Sequence, residues 1–129
     1  MIIAIFFNTL KKHSIEIAKS IKEFLESHSV QVVAEDEEAA SIGAKYLSEV
    51  PLEKINFSIS LGGDGTILRL LHKHSMLQAP ILAINLGSLG FMADIPVNEI
   101  IPSLENLLSG NYTIQNRIVI EGKNQRTCT

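Results

Sequence analysis

Apolar residues follow two rhythms along this chain. Met1 to Phe7 is an unbroken apolar run, largely β-branched and aromatic and cut by Asn8-Thr9. It predicts a strand buried on both faces, as in parallel sheets. From about Lys11 to Ser27 the spacing lengthens to three and four residues. Ile15, Ala18, Ile21 and Leu25 form a stripe there, with Lys19, Lys22, Glu23 and Glu26 mostly off it, which predicts a helix. Val30 to Val33 reads as a second short strand. The acidic run Glu35-Asp36-Glu37-Glu38 suits the N-terminal end of a helix, whose dipole attracts negative charge, and that helix should end before Pro51.

Asn56 to Leu61 predicts a third strand, followed by Gly62-Gly63-Asp64-Gly65-Thr66 and then by helical spacing from Ile67 to Leu71. Pro80 to Asn85 is a fourth strand, ending in the loop Leu86-Gly87-Ser88-Leu89-Gly90-Phe91. Pro96 is expected to start a further helix, whose stripe Ile100, Ile101, Leu104, Leu107 and Leu108 is closed by Gly110. Strands alternating with helices imply right-handed βαβ units, a mainly parallel sheet and a three-layer α/β/α, Rossmann-like fold. Residues 1–110 form that α/β unit. The more alternating run Tyr112 to Glu121 reads as one strand opening something further, with a polar tail to Thr129, so 111–129 is expected to be the start of a second, C-terminal domain.

Composition narrows the class. Of 129 residues, 44 are Ile, Leu, Val or Phe, enough for a real core without disulfides or a structural metal. The lone Cys128 has no intrachain partner. A net charge of −3 and a pI near 5.8, with no clustered basic face, argue against nucleic acid or an anionic membrane as the main partner. The apolar N-terminus lacks a preceding basic segment and is too short for a signal peptide or a membrane span, so a cytoplasmic location is expected.

Five of the eight glycines fall between Gly62 and Gly90, in two clusters that follow predicted strand ends, where open α/β sheets bind ligands. Glycines let the backbone approach closely, so consecutive N–H groups can point at phosphate oxygens beside a helix N-terminus. Asp64 adds a carboxylate to that loop, which suits holding a metal or accepting a proton from an attacking hydroxyl. A plainer reading of Gly-Asp-Gly-Thr is a tight turn in which Asp64 or Thr66 caps the next helix. P-loop, dinucleotide-fingerprint, calcium-loop and nucleophile-elbow patterns are absent. His72 and His74, two apart on a helix, do not form an i, i+4 metal pair, and Met76 and Met92 read as gap-filling residues.

Leu61-Gly62-Gly63-Asp64-Gly65-Thr66-Ile67-Leu68-Arg69, with Ile84-Asn85-Leu86-Gly87-Ser88-Leu89-Gly90-Phe91 further on, closely resembles the N-terminal half of bacterial NAD kinases. The first motif is shared with diacylglycerol and sphingosine kinases; the second narrows the match. The resemblance runs from the first strand to about Glu121, and Asn116 to Glu121 looks like the family's entry into its second domain. It implies phosphorylation of the 2′-hydroxyl of the adenosine ribose of NAD to give NADP, with ATP or polyphosphate as donor, a divalent metal such as Mg²⁺, and a homo-oligomer at full length. By position, Asp64 matches the family's proposed general base, Gly65 the neighbouring NAD contact, Arg69 a basic residue near the same ligand in some members, and Phe91 the aromatic bordering the adenine; Gly62, Gly63 and Asp64 are expected among the nucleotide-binding residues with them. Arg69 also reads as a solvated helix charge and Phe91 as a core residue. The family's second domain supplies an Asn-Glu or Asn-Asp pair for the ribose that has no counterpart here. The 129-residue chain is therefore expected to be inactive alone, a nucleotide-binding half, and to self-associate through Ile114, Ile118 and Ile120. A lipid or sugar kinase of the same superfamily is the remaining alternative.

Overall fold

The computed structural model of the protein describes residues 1–62, 64–74, 77–85, 95–96, 99–115 and 118–121. The strands are β1 (Ile2–Phe6), β2 (Gln31–Ala34), β3 (Lys45–Tyr46), β4 (Phe57–Gly62), β5 (Ile81–Asn85), β6 (Ile95–Pro96), β7 (Tyr112–Gln115) and β8 (Ile118–Glu121). The helices are α1 (Lys12–Ser27), α2 (Asp36–Ile42), α3 (Asp64–Lys73) and α4 (Ile100–Ser109). Two 3₁₀ turns, Leu47–Glu49 and Leu52–Lys54, join β3 to β4.

One sheet holds all the described strands in the order β3-β2-β1-β4-β5-β8-β7, with β6 also on β5. Every pairing is parallel except β7 with β8. The first seven residues behave as their apolar run predicts. Ile3, Ile5 and Phe7 enter one core cluster with Ala18, Ile21 and Leu25 of α1, Ile42 of α2, and Ile100, Leu104 and Leu107 of α4. Ala4 and Phe6 enter the opposite cluster with Leu70 of α3 and with Leu47, Ile55 and Leu77. The α/β/α layering follows: α1, α2 and α4 on one face, α3 and the 3₁₀ segment on the other.

Register adds detail to the α3 face. Ala4 lies opposite Ser58 and Phe6 opposite Ser60, while Ser60 lies opposite Ala83 on the other side. Small side chains at Ala4, Ser58, Ser60 and Ala83 let α3 sit close to the sheet. Ser58 and Ser60 are buried, and their hydroxyls have no hydrogen-bond partner among the described residues.

The second helix ends before Pro51 as expected, at Ile42, where Gly43 takes a left-handed conformation at φ 73°, and β3 and the 3₁₀ turns fill the stretch up to Pro51. Three elements differ from the sequence reading. The last helix starts at Ile100 and not at Pro96, which lies in β6. The helix after the glycine-rich turn starts at Asp64 rather than near Ile67. Glycine's low helix propensity hid that first turn. Tyr112 to Glu121 is a pair of antiparallel strands, not one strand. β8 lies beside β5, with Ile118 opposite Ile81, which places this segment in the same sheet as β1 to β5. Ile114 on β7 remains 49% exposed at the sheet's edge. Cys128 lies outside the described residues.

Two measurements test this packing. Leu104→Ala is expected to cost about 2–5 kcal/mol in urea unfolding, as core truncations do, whereas Ile101→Ala, 41% exposed on the same helix, should cost far less. Ser58→Ala should leave stability unchanged or raise it by about 1 kcal/mol, since it removes a buried hydroxyl whose desolvation is not repaid. A clear loss would mean that the hydroxyl has a partner after all.

Candidate functional site

In a parallel sheet all the strand-to-helix turns leave from one edge. The chain runs from β1 outward to β2 and β3, then returns to β4 on the other side of β1, so the direction of winding reverses between β1 and β4. A crevice forms at the carboxyl ends of strands at such a reversal. A cleft of about 950 Å³ opens along this edge. Its lining comes from the turn after β1 (Phe7 to Leu10), the start of α2 (Glu35 to Glu38), the segment after β3, and Arg69, Lys73 and His74 of α3 and its end.

The cleft is tied together by charge. Lys73 Nζ lies 3.1 Å and His74 Nε2 2.7 Å from Oε2 of Glu35. Arg69 Nη2 donates to Oε2 of Glu38 at 3.3 Å and to the carbonyl of Phe7 at 3.3 Å. The Phe7 N–H donates to Oε1 of Glu38, also at 3.3 Å. The His74 ring rests against Phe6 at 5.3 Å between centroids. Because α2 and α3 cover opposite faces, these bonds join the two helical layers over the end of β1.

The two carboxylates respond to this setting in opposite ways. Burial opposes ionisation of Glu35, but hydrogen bonds from Lys73 and His74 outweigh it and hold the carboxyl below its ordinary value. Burial pushes the Glu38 carboxyl up to about 7, reinforced by the negative charge of Glu35, against the pull of the Phe7 N–H and of Arg69. The difference is one of partners: Glu35 is hydrogen-bonded by two side chains, Lys73 and His74, and Glu38 by one, Arg69.

The residues singled out from sequence occupy neighbouring positions on this edge. Gly62 ends β4 at φ 145°, a conformation that side chains rarely adopt, and a Cβ there would stand 2.6 Å from Thr66 Oγ1. Gly62 is thus a glycine by necessity, so that Thr66 can fold back over the strand end. Asp64 is the first residue of α3, next to the positive end of the helix dipole. Gly65 sits within the first turn of α3, exposed, and among the described residues nothing lies within 4 Å of where a Cβ would be. A positive-φ role for Gly65 is therefore replaced by an open face on the helix. Arg69 is half-exposed, lines the cleft and pairs with Glu38, so it is more than a solvated helix charge. Gly63, Phe91, Met76, Met92 and the second motif beyond Asn85 lie outside the described residues. His72 and His74 fall apart, His74 alone turning onto Glu35. The sequence reading missed Glu35 and Glu38 as site residues. Their three-residue spacing, which puts both on one side of a helix's first turn, was the available signal.

A doubly wound, mostly parallel sheet with a glycine-rich strand-to-helix turn on its carboxyl edge defines an α/β domain of the Rossmann-like class. Within that class the chain belongs to the ATP-NAD kinase N-terminal domain family, which matches residues 3–112. It is 53% identical over 120 residues to an NAD kinase of Protochlamydia amoebophila, covering 93% of this chain and 43% of the relative. It is 39% identical over 117 residues to an NAD kinase of Natranaerobius thermophilus, covering 88% of this chain and 41% of that protein. The chain thus spans less than half the length of these relatives. The crystal structure of yeast NADH kinase complexed with NADH shares the fold, with a TM-score of 0.67 and 23% identity over 84% of this chain and 36% of that one. No helix among the described residues is long and apolar enough to cross a membrane.

Thermal melts separate the two glycines. Gly62→Ala should be clearly destabilising, because it meets both the backbone strain and Thr66. Gly65→Ala should melt at the same temperature or higher, since alanine favours a helix by about 0.5–1 kcal/mol over glycine. The carboxylates give a pH signature. Glu35 stabilises the fold above the ordinary carboxylate range near 4.5, and that contribution is lost as pH falls. Glu38, with its folded value raised, contributes stability that is full below about 4.5 and lost as pH rises to about 7. Glu38→Gln should therefore melt higher than the wild type at pH 8 and alike at pH 5. Parallel melting curves at both pH values would refute the assignment.

Proposed function

We propose that this domain forms the N-terminal half of an NAD kinase site, which transfers a phosphoryl group from ATP or polyphosphate to the 2′-hydroxyl of the adenosine ribose of NAD. The observation that carries the reading is the glycine-rich turn of Gly62 to Gly65 at the winding reversal of the sheet, in a chain that belongs to this family. The turn and the N-terminus of α3 offer main-chain N–H groups and a positive dipole to a phosphate or ribose oxygen. Gly65, open on its Cβ side, leaves room for the nucleotide to reach the helix.

Asp64 serves as general base. Its carboxylate takes the proton of the ribose 2′-hydroxyl, that oxygen attacks the terminal phosphorus, and the bond to the leaving phosphate oxygen of the donor breaks, giving NADP and ADP. Arg69 stands one and a half turns further along α3 and contacts the nucleotide from the cleft side. Phe91 borders the adenine. Among the described residues no group of three or more His, Cys, Asp or Glu side chains is placed to hold a metal. A single carboxylate still suits Mg²⁺, which binds through one or two carboxylates together with substrate phosphates and waters. Asp64 would help to hold that ion, which neutralises charge on the donor phosphates. The protein would work in the cytoplasm, where its substrates are made and used, and assemble as a homo-oligomer. The 53% identical relative named NAD kinase favours this reading over a lipid or sugar kinase.

Turnover can be read as NADP formed from NAD, ATP and Mg²⁺ by a chimera joining this chain to the part of the Protochlamydia relative beyond the matched segment. Asp64→Asn is expected to lower turnover by about 10²–10⁴-fold while NAD affinity changes little, because a base acts in the transition state. Near-normal turnover would leave Asp64 as a helix-capping residue.

A further inference from the structure

The main chain of Phe7, one residue past β1, is held from two directions. Its N–H donates to Glu38 and its carbonyl accepts from Arg69, while Arg69 also donates to Glu38, each at 3.3 Å, which closes a ring of three residues. The Glu38 side chain is 8% exposed and that of Arg69 45%, so the carboxylate is the buried anchor and the guanidinium the part that reaches the cleft. Only one of the three guanidinium nitrogens, Nη2, is used in these bonds.

We infer that Glu38 is a positioning residue: through its charge it fixes Arg69 and the main chain leading into Asn8 and Thr9 in the arrangement that receives the nucleotide, an inference that rests on the kinase reading above. The charges around Glu38 make Arg69 its partner. From α3, Lys73 and His74 are drawn to Glu35 at 3.1 and 2.7 Å, which leaves Arg69 on Glu38. From its own helix, Glu35 repels it, and Asp36 and Glu37 share its first turn. The turn after β1 brings the uncharged Asn8 and Thr9. Burial pushes the Glu38 carboxyl up to about 7, so it is ionised and holding at pH 8 and mostly protonated and slack at pH 6. The ionised form costs stability, as derived above. A purely structural residue would gain nothing from that cost; one that orients a ligand contact would.

The test uses the 129-residue chain, isotope-labelled, with Glu38→Gln and a His74→Asn control. The Phe7 amide resonance should titrate with a midpoint near pH 7 in the wild type and in His74→Asn, and should not titrate in Glu38→Gln. Calorimetric titration should find NAD bound several-fold more weakly at pH 6 than at pH 8 by the wild type, and at the weaker level at both pH values by Glu38→Gln, even though that variant melts no lower. A Phe7 amide that stays flat in the wild type from pH 5.5 to 8.5, roughly the span over which such a carboxyl would titrate, would overturn the inference. So would Glu38→Gln binding NAD at pH 8 as tightly as the wild type. No NAD binding by the wild type at either pH, with Phe7 still titrating through Glu38, would overturn the reading of this chain as a nucleotide-binding half and leave the positioning of Phe7 and Arg69 supported.

Discussion

The structure depends on β1 being parallel to both of its neighbours while buried on both faces. Parallel strands cannot be joined by a tight turn, so each pairing of β1 demands a crossover, and α1 supplies the first of these. Because crossovers are right-handed, winding outward to β2 and β3 places α1 and α2 on one face, and returning past β1 to β4 and β5 places α3 on the other. The two clusters that alternate residues of β1 share are the outcome. The same constraint gathers the turns after β1, β2, β3 and β4 on a single edge, and that edge is where the chemistry collects.

At that edge the sheet's own hydrogen bonding runs out, and buried main-chain groups must find other partners. The Phe7 N–H and carbonyl find Glu38 and Arg69, which come from helices on opposite faces. The arrangement serves two ends at once. It completes the end of β1, and it draws Arg69 into a cleft beside the helix that carries Asp64. Its weak point is the carboxylate, placed where burial and the charge of Glu35 outweigh the pull of the Phe7 N–H, Arg69 and Lys73. Sites built for binding often keep such unfavourable charges, since they are repaid when a ligand is held.

The glycine-rich turn divides its labour in a way that its letters do not reveal. Gly62 is required by the fold, because the backbone there and the approach of Thr66 leave no room for a side chain. Gly65 is not: it lies in a helix, with no described residue close to where a Cβ would be. A glycine that the fold does not need, at the start of a helix on the carboxyl edge of the sheet, leaves that face of the helix open.

Much of this was set by sequence alone. The run Ile2 to Phe7, the stripe Ala18, Ile21, Leu25 and the stripe ending at Gly110 each carry their own period, and periodicity is a local property that decides strand or helix before any packing. The motif around Gly62 to Arg69 likewise announced the family, because a turn chemistry that few folds use is written in consecutive residues. Other features depended on contacts between distant parts of the chain. That Tyr112 to Glu121 splits into two strands, one of them beside β5, was decided by the free edge of β5 and not by the segment's own pattern. That Arg69 belongs to Glu38, 31 residues away, and both belong to Phe7, was decided only when α2 and α3 packed on opposite faces of one strand. Hydrophobic spacing says which side of an element is buried. It does not say which charge will meet it at the sheet's edge, because that meeting is fixed by strand order, and strand order exists only in three dimensions.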